Sequence, residues 1–399
     1  MNKTEALLLD ALRCGIRGES VSWDAPLSPD AQRELTRLAH AHSVLPLVAE
    51  AGCAADCAPV MYSLARRLTI RQAQRTGDFL LLYRQLTDRG LQPLIIKGIV
   101  LRELYPHPEQ RPSVDEDLLV SDADWPRLRD ALLDCGLQIE GEPTPDADEV
   151  TFRDRQRHLY IEVHRRLFSP DSTAYGDCNI PFSGAQERSV TVQIEGTVLR
   201  TRAPTDHLLY LICHAYKHFL HSGVGIRQVC DMGLFAEHYA SQLDWEHIAD
   251  SCRELHIASF AAALFRVGAV HLGFSVPAVF ADYDGDIDPL LADILSGGMY
   301  GAEDIDRLHS STLTLEAVSA DRTGRRRGGA LHSVFLPAKD LSGRYPYLRR
   351  RPWLLPVAWT QRIWGYLTRR KYGPVSPAES LRIGRDRIAL LRQYGIIDS

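Results

Sequence analysis

The chain has 399 residues, 45% of them hydrophobic and 24% charged, with a formal net charge of -5 at neutral pH. These proportions are ordinary for a globular protein and exclude a disordered, fibrous or collagen-like chain. The mild charge also excludes a protein that coats nucleic acid by bulk positive charge, while leaving room for a local basic groove.

At roughly 100–200 residues per domain the length predicts two or three packed units. The first residues lack the pattern of a secretory signal, and no apolar run reaches the ~18 residues of a membrane span, so the expected location is cytoplasmic with no transmembrane segment. Of the 8 cysteines, Cys53 and Cys57 make the one close pair. Their spacing suits neither a zinc ribbon nor a redox motif, and reduced buried thiols are expected.

Residues 4–90 read as three or four helices. Ala6, Leu7, Leu9 and Leu12 begin an apolar stripe, Ser28-Pro29-Asp30 is a helix start for 28–51, and 60–89 is a long amphipathic segment ending at Arg89-Gly90. The pattern changes at residue 91. Leu91-Gln-Pro-Leu-Ile-Ile96 suits a short buried strand, and a short helix follows Lys97-Gly98 to about Tyr105. After the loop Pro106–Gln110 comes a second strand, Val114–Val120. Next is a helix with Trp125, Leu128, Leu132 and Leu133 on one face, stopped at Gly136. The acidic stretch to Asp148 reads as a loop, Glu149–Arg153 and Leu159–His164 as a hairpin, and 188–200 as another with its turn at Glu195-Gly196. From Asp206 onward the reading is helical, apart from a Gly- and Arg-rich interruption at Arg322–Gly329. The expected class is α+β: a helical region at 1–84, a small mixed-sheet domain at 85–203, and a helical region at 204–399.

Alternate residues of a strand share a face, so Asp115 and Asp117 point together and Glu116 points away. Two neighbouring carboxylates repel each other unless a cation lies between them, and magnesium commonly binds through such a pair plus substrate phosphates. Upstream, Lys97 and the N–H groups of the following helix start are suited to phosphate oxygens. Downstream, Glu162 interrupts an apolar alternation. It either completes a three-carboxylate site or faces solvent and Arg165 from an edge strand.

The segments Leu94-Ile-Ile-Lys-Gly98, Leu101, Tyr105-Pro106 and Arg111-Pro-Ser-Val-Asp-Glu-Asp-Leu-Leu-Val120 resemble the uncharacterised bacterial nucleotidyltransferase family of the polymerase-beta-type superfamily. Ile161-Glu-Val-His164, Asp206-His-Leu-Leu209, His214, His218, Arg227 and Asp231 extend the likeness over roughly residues 30–240, and Arg344-Tyr-Pro-Tyr347 is a fainter part of it. The resemblance implies that Asp115 and Asp117 bind Mg2+ or Mn2+, with Glu162 as a third metal ligand or the base for an acceptor hydroxyl. Lys97 and Gly98 would hold a nucleoside triphosphate. Arg111 and Ser113 join them as nucleotide-binding candidates, with Arg111 alternatively a structural ion-pair partner. The implied reaction moves a nucleoside monophosphate to an unknown acceptor (small molecule, peptide or protein, or RNA) with release of pyrophosphate. The superfamily usually has Gly-Ser where this chain has Lys97-Gly98. That departure supports the main alternative, a catalytically inactive nucleotide-binding or scaffold protein; a regulatory nucleotide sensor is a second.

His207, His214, His218 and His221 form a stripe of their own on a predicted helix. Together with His164, His214 and His218 are acceptor-site candidates; the stripe could also bind a metal or simply pack on the sheet domain. Arg227 and Asp231 are spaced as an i, i+4 ion pair. Near the C-terminus, Arg325-Arg-Arg327, Arg349-Arg-Arg351 and Arg369-Arg-Lys371 flank Trp353, Trp359 and Trp364, a pattern for RNA or an anionic membrane, or for solvated helix ends with packed tryptophans.

Overall fold

In the computed structural model, residues 1–23, 26–52, 59–144, 146–221, 223–298, 305–324, 345, 347–368 and 377–398 are described. Helix α1 (Lys3–Gly15) opens with a capping box, in which Asn2 accepts the Glu5 N–H and the Glu5 carboxylate accepts the Asn2 N–H. Ser28 caps α2 (Pro29–Ala41), with Pro29 in the first turn as the sequence predicts. The segment read as one unit over 28–51 is two helices, because Ser43 takes a left-handed φ of 55° and ends the first. The second, α3 (Leu45–Ala51), restarts with Pro46 in its first turn.

The long α4 (Pro59–Asp88) ends just before the predicted change of pattern. Then come β1 (Leu94–Ile95), α5 (Ile99–Arg102), β2 (Glu116–Leu119) and α6 (Trp125–Asp134). The stretch expected to be only loop after Gly136 contains β3 (Gln138–Ile139), too short to leave a period in the sequence, which pairs with the next strand. That strand, β4 (Glu149–Asp154), makes the predicted hairpin with β5 (Leu159–His164), and β6 (Val190–Ile194) makes the second with β7 (Thr197–Thr201). At the latter turn Glu195 and Gly196 both have positive φ, as a two-residue hairpin turn requires. The helices α7 (Pro204–His221), α8 (Ile226–His238), α9 (Trp245–Glu254), α10 (Ala258–Leu272), α11 (Asp288–Gly297) and α12 (Ile305–Thr323) follow, and then helices Tyr347–Arg350, Leu355–Thr368 and Pro377–Gln393.

The strands form one 7-stranded mixed sheet in the order β3-β4-β5-β2-β1-β7-β6. Two parallel pairings, β2 with β5 and β1 with β7, join the antiparallel hairpins. This is the α+β architecture expected.

The alternation of β1 and β2 divides their side chains between two cores. Ile95 and Leu118 pack with Phe79, Tyr83 and Leu86 of α4 and with Leu128 and Leu132 of α6. Leu94, Ile96 and Leu119 turn the other way, into a core shared by α1–α3 and the helices that follow the sheet. Each fully buried Leu, Ile or Phe contributes roughly 1.5–3 kcal/mol, so both faces of the sheet are held. The first half of α4 lies in the second core and its last turns in the first, so this helix fastens the two together. Asp117, on the same face as Leu119, therefore looks toward the helical core and α7.

Among the described residues no helix is long and apolar enough to cross a membrane. The cysteines described are all free, and Cys53 and Cys57 lie outside the described residues. Arg325–Arg327 and Arg369–Lys371 lie outside them too. Trp353 is exposed, whereas Trp359 packs against the small cluster of Leu348 and Ala358.

Candidate active site

Strand register assembles the acidic groups. In the parallel pair, Asp117 of β2 stands opposite Glu162 of β5, and Leu119 opposite His164. Glu162 and His164 are two apart on β5 and share a face. One ligand atom from each of Asp117, Glu162 and His164 lies within 4.8 Å of the others. Glu162 thus faces Asp117, while Arg165 pairs with Asp122 at 2.8 Å. Asp115 lies one residue before β2, half-buried and outside that group of three. Its charge nevertheless acts on Glu162.

Asp117 is 1% exposed. Its Oδ1 accepts from Lys97 Nζ at 3.2 Å and lies 3.1 Å from His164 Nε2. Among the described residues its Oδ2 is buried with no hydrogen-bond partner. Burial alone would raise this carboxyl, but the Lys97 ammonium and then His164 outweigh it and hold the group down at about 2. Glu162, with 29% of its side chain exposed, goes the other way. Burial, then the charges of Asp117, Asp115 and Glu149, push it up to about 8. A buried oxygen without a donor beside a carboxyl that resists ionisation is a site short of positive charge. Its oxygen and imidazole donors fit a divalent cation.

Sequence reasoning did not single out Glu149, although it lies at the start of a predicted strand. Antiparallel register places it opposite His164, and its Oε2 is 3.5 Å from His164 Nδ1.

Glu116 points away from Asp117, and its destination is specific. Its buried carboxylate pairs with Arg102 and accepts the Ile99 N–H at 2.9 Å. It also touches the α-carbon of Gly98, where a Cβ would collide with Glu116 Oε2. With φ at 64°, Gly98 is required both by its backbone and by this close approach. The Ile99 N–H, expected at a phosphate, is thereby engaged within the fold.

The loop before the aspartates is fastened from several sides. Ser113 donates its N–H to Gln72, its carbonyl accepts from Arg75, and its hydroxyl accepts from Arg102. Arg111 makes a two-pronged pair with Asp231 of α8 at 2.6 and 2.7 Å, and the Tyr105 hydroxyl donates to the same carboxylate. Arg227 donates to the Pro112 carbonyl. The i, i+4 pairing expected of Arg227 and Asp231 is therefore replaced by two long-range contacts, because this loop packs against α8 and offers a guanidinium and a bare carbonyl.

The histidine stripe divides. His214 Nε2 accepts from Lys97 at 3.3 Å and lies 3.1 Å from His218 Nε2. Burial and then Lys97 hold both imidazoles well below their ordinary values, so they are neutral. His207 is buried against Phe235, and His221 meets the Tyr175 hydroxyl. A cavity of about 30 Å³ is lined by Lys97, Arg111, His214, Arg227, Gln228 and Asp231. A larger one, about 280 Å³, lies at the far end of β1 and β2 near Leu119–Ser121, Gln186 and Arg200, and none of the clustered groups lines it.

No curated protein and no solved structure matches this chain. A family model does, over residues 28–273, which takes in the sheet, the acidic cluster and the helices α2–α10. The chain therefore belongs to the family described as uncharacterised nucleotidyltransferase.

Proposed function

We propose that the protein is a metal-dependent nucleotidyltransferase that moves a nucleoside monophosphate from a nucleoside triphosphate to a hydroxyl acceptor. The observation that carries this reading is the pairing of Asp117, whose Oδ2 is buried without a donor, with Glu162 on the adjacent strand. These two would hold a magnesium or manganese ion, with Asp115 at the edge of the site; when bound, it would supply positive charge for the α-phosphate and the departing pyrophosphate. The acceptor oxygen bonds to the α-phosphorus as the bond to the bridging oxygen breaks, and pyrophosphate leaves.

The chain's own groups have defined parts in this. Lys97 exchanges its contact with Asp117 for triphosphate oxygens. Glu162, ionised when a cation is held beside it, is the carboxylate placed to take the acceptor's proton. Arg111 and Ser113 act through the loop, fixing where Asp115 and Asp117 stand. The neutral pair His214 and His218 lies on the Lys97 side, available to an acceptor.

Pyrophosphate release from each nucleoside triphosphate with magnesium or manganese tests the reading. Asp115→Asn with Asp117→Asn is expected to lower release by more than about 100-fold and leave the unfolding temperature within a few degrees. Unchanged release would overturn it. A second reading, a nucleotide binder without turnover, draws on the engagement of Lys97 by Asp117 and of the Ile99 N–H by Glu116. Thermal stabilisation by triphosphate without any pyrophosphate release would favour it.

A further inference from the structure

We infer that the metal position is a mixed nitrogen and oxygen site, in which His164 Nε2 is a ligand held in place by Glu149, and that it selects a manganese-class cation over magnesium. The inference rests on the transferase reading for the location of the cation but makes a separate claim about its chemistry.

Both ring nitrogens of His164 face carboxylates. Nε2 is 3.1 Å from Asp117 Oδ1 and 4.0 Å from Glu162 Oε2, and Nδ1 is 3.5 Å from Glu149 Oε2. The ring is buried in β5, and its neighbours are set by strand register on both sides: β2 supplies Asp117 and β4 supplies Glu149. Adjacent ligands on an octahedral cation with bonds of about 2.1 Å stand about 3 Å apart, so the spacing of Nε2 and Asp117 Oδ1 suits two neighbouring ligands.

Glu149 decides which nitrogen is free. A carboxylate beside Nδ1 holds a proton there, so the nitrogen that gives up its proton to a cation is Nε2, which faces Asp117 and Glu162. Binding at Nε2 displaces that nitrogen's proton to solvent, and the Nδ1 proton stays directed at Glu149. This is the carboxylate–histidine–metal arrangement in which the outer carboxylate orients the ring and raises its basicity. Glu149 is a positioning residue, since it acts through His164. Side-chain exposure of 42% lets it be exchanged without opening the core.

An imidazole nitrogen biases the choice of metal. Magnesium prefers an all-oxygen shell and gains little from a nitrogen ligand, whereas the first-row transition ions accept imidazole, iron, nickel and zinc more readily than manganese, which is the weakest-binding of them and so the most stringent probe.

Manganese and magnesium titrations of the full chain without nucleotide, together with pulsed electron paramagnetic resonance of the bound manganese, test this. The wild-type protein is expected to prefer manganese by at least about tenfold and to show nitrogen coupling to the ion. His164→Gln should abolish the coupling and lower manganese affinity at least about tenfold, with magnesium affinity changed less than about threefold. Glu149→Gln should weaken manganese about tenfold or more while retaining the coupling. No nitrogen coupling in the wild type, no manganese binding, or equal losses for both metals in the variants would overturn the inference. Pyrophosphate release is measured on the same samples. Release with magnesium and no nitrogen coupling would sink this inference and leave the transferase reading standing; nitrogen coupling without release would do the reverse.

Discussion

Asp117 and Glu162 are register partners on adjacent parallel strands, yet their carboxyls are displaced in opposite directions, one held down at about 2 and the other pushed up to about 8. The cause is the placing of one cation. Lys97 and His164 serve Asp117, while Glu162 meets burial and the charges of Asp117, Asp115 and Glu149. The site is built around a deficit of positive charge.

That deficit predicts a pH dependence. Glu162 in the folded protein titrates at about 8 against an ordinary 4.5, so the folded state keeps a proton that the unfolded chain has already lost between those values. Its contribution to stability is complete below about pH 4.5 and fades as pH rises through about 8. A divalent cation requires the ionised form, so its affinity should rise up to about tenfold per pH unit and level off above about pH 8. Calorimetric manganese titrations across this range check the slope, and Glu162→Gln should flatten it.

Breaking the pair of Arg111 and Asp231 should be costly. Both side chains are almost wholly buried, at 4% and 5% exposure. Asp231→Ala takes the carboxylate from a buried guanidinium and from the Tyr105 hydroxyl, with an expected loss of about 3–5 kcal/mol in denaturant unfolding. Arg111→Met with Asp231→Leu should recover most of that stability. Turnover should stay low in the double variant, because the loop that aims the aspartates has lost its fastening to α8.

Gly98→Ala should destabilise the protein by about 2 kcal/mol or more, since it combines a left-handed backbone with a Cβ aimed at the Glu116 carboxylate. The denaturant midpoint measures this. An unchanged midpoint would mean that the backbone between Lys97 and Ile99 rearranges freely.

Much of this site is legible in a single sequence because it is local. Period-two spacing sets Asp117 and Glu116 on opposite faces, and the turn at Glu195-Gly196 announces its hairpin. What could not be read is what register and chain crossing decide. Nothing in the residues around Glu162 says that β5 lies beside β2 with Glu162 opposite Asp117. Glu149 looks like any polar strand end until antiparallel pairing sets it against His164. Asp231 has an arginine one turn away in its own helix, and only the folded loop brings Arg111 closer. The β3 strand, at Gln138–Ile139, is simply too short to carry a pattern.

The central claim, that Asp117 and Glu162 hold a divalent cation against a nucleotide's phosphates, is met most directly by anomalous diffraction from crystals soaked with manganese and a non-hydrolysable nucleoside triphosphate. The account predicts an anomalous peak within bonding distance of Asp117 and Glu162, with the α-phosphate against it and Lys97 turned to the triphosphate. Manganese and nucleotide bound elsewhere, with Lys97 still on Asp117, would contradict it.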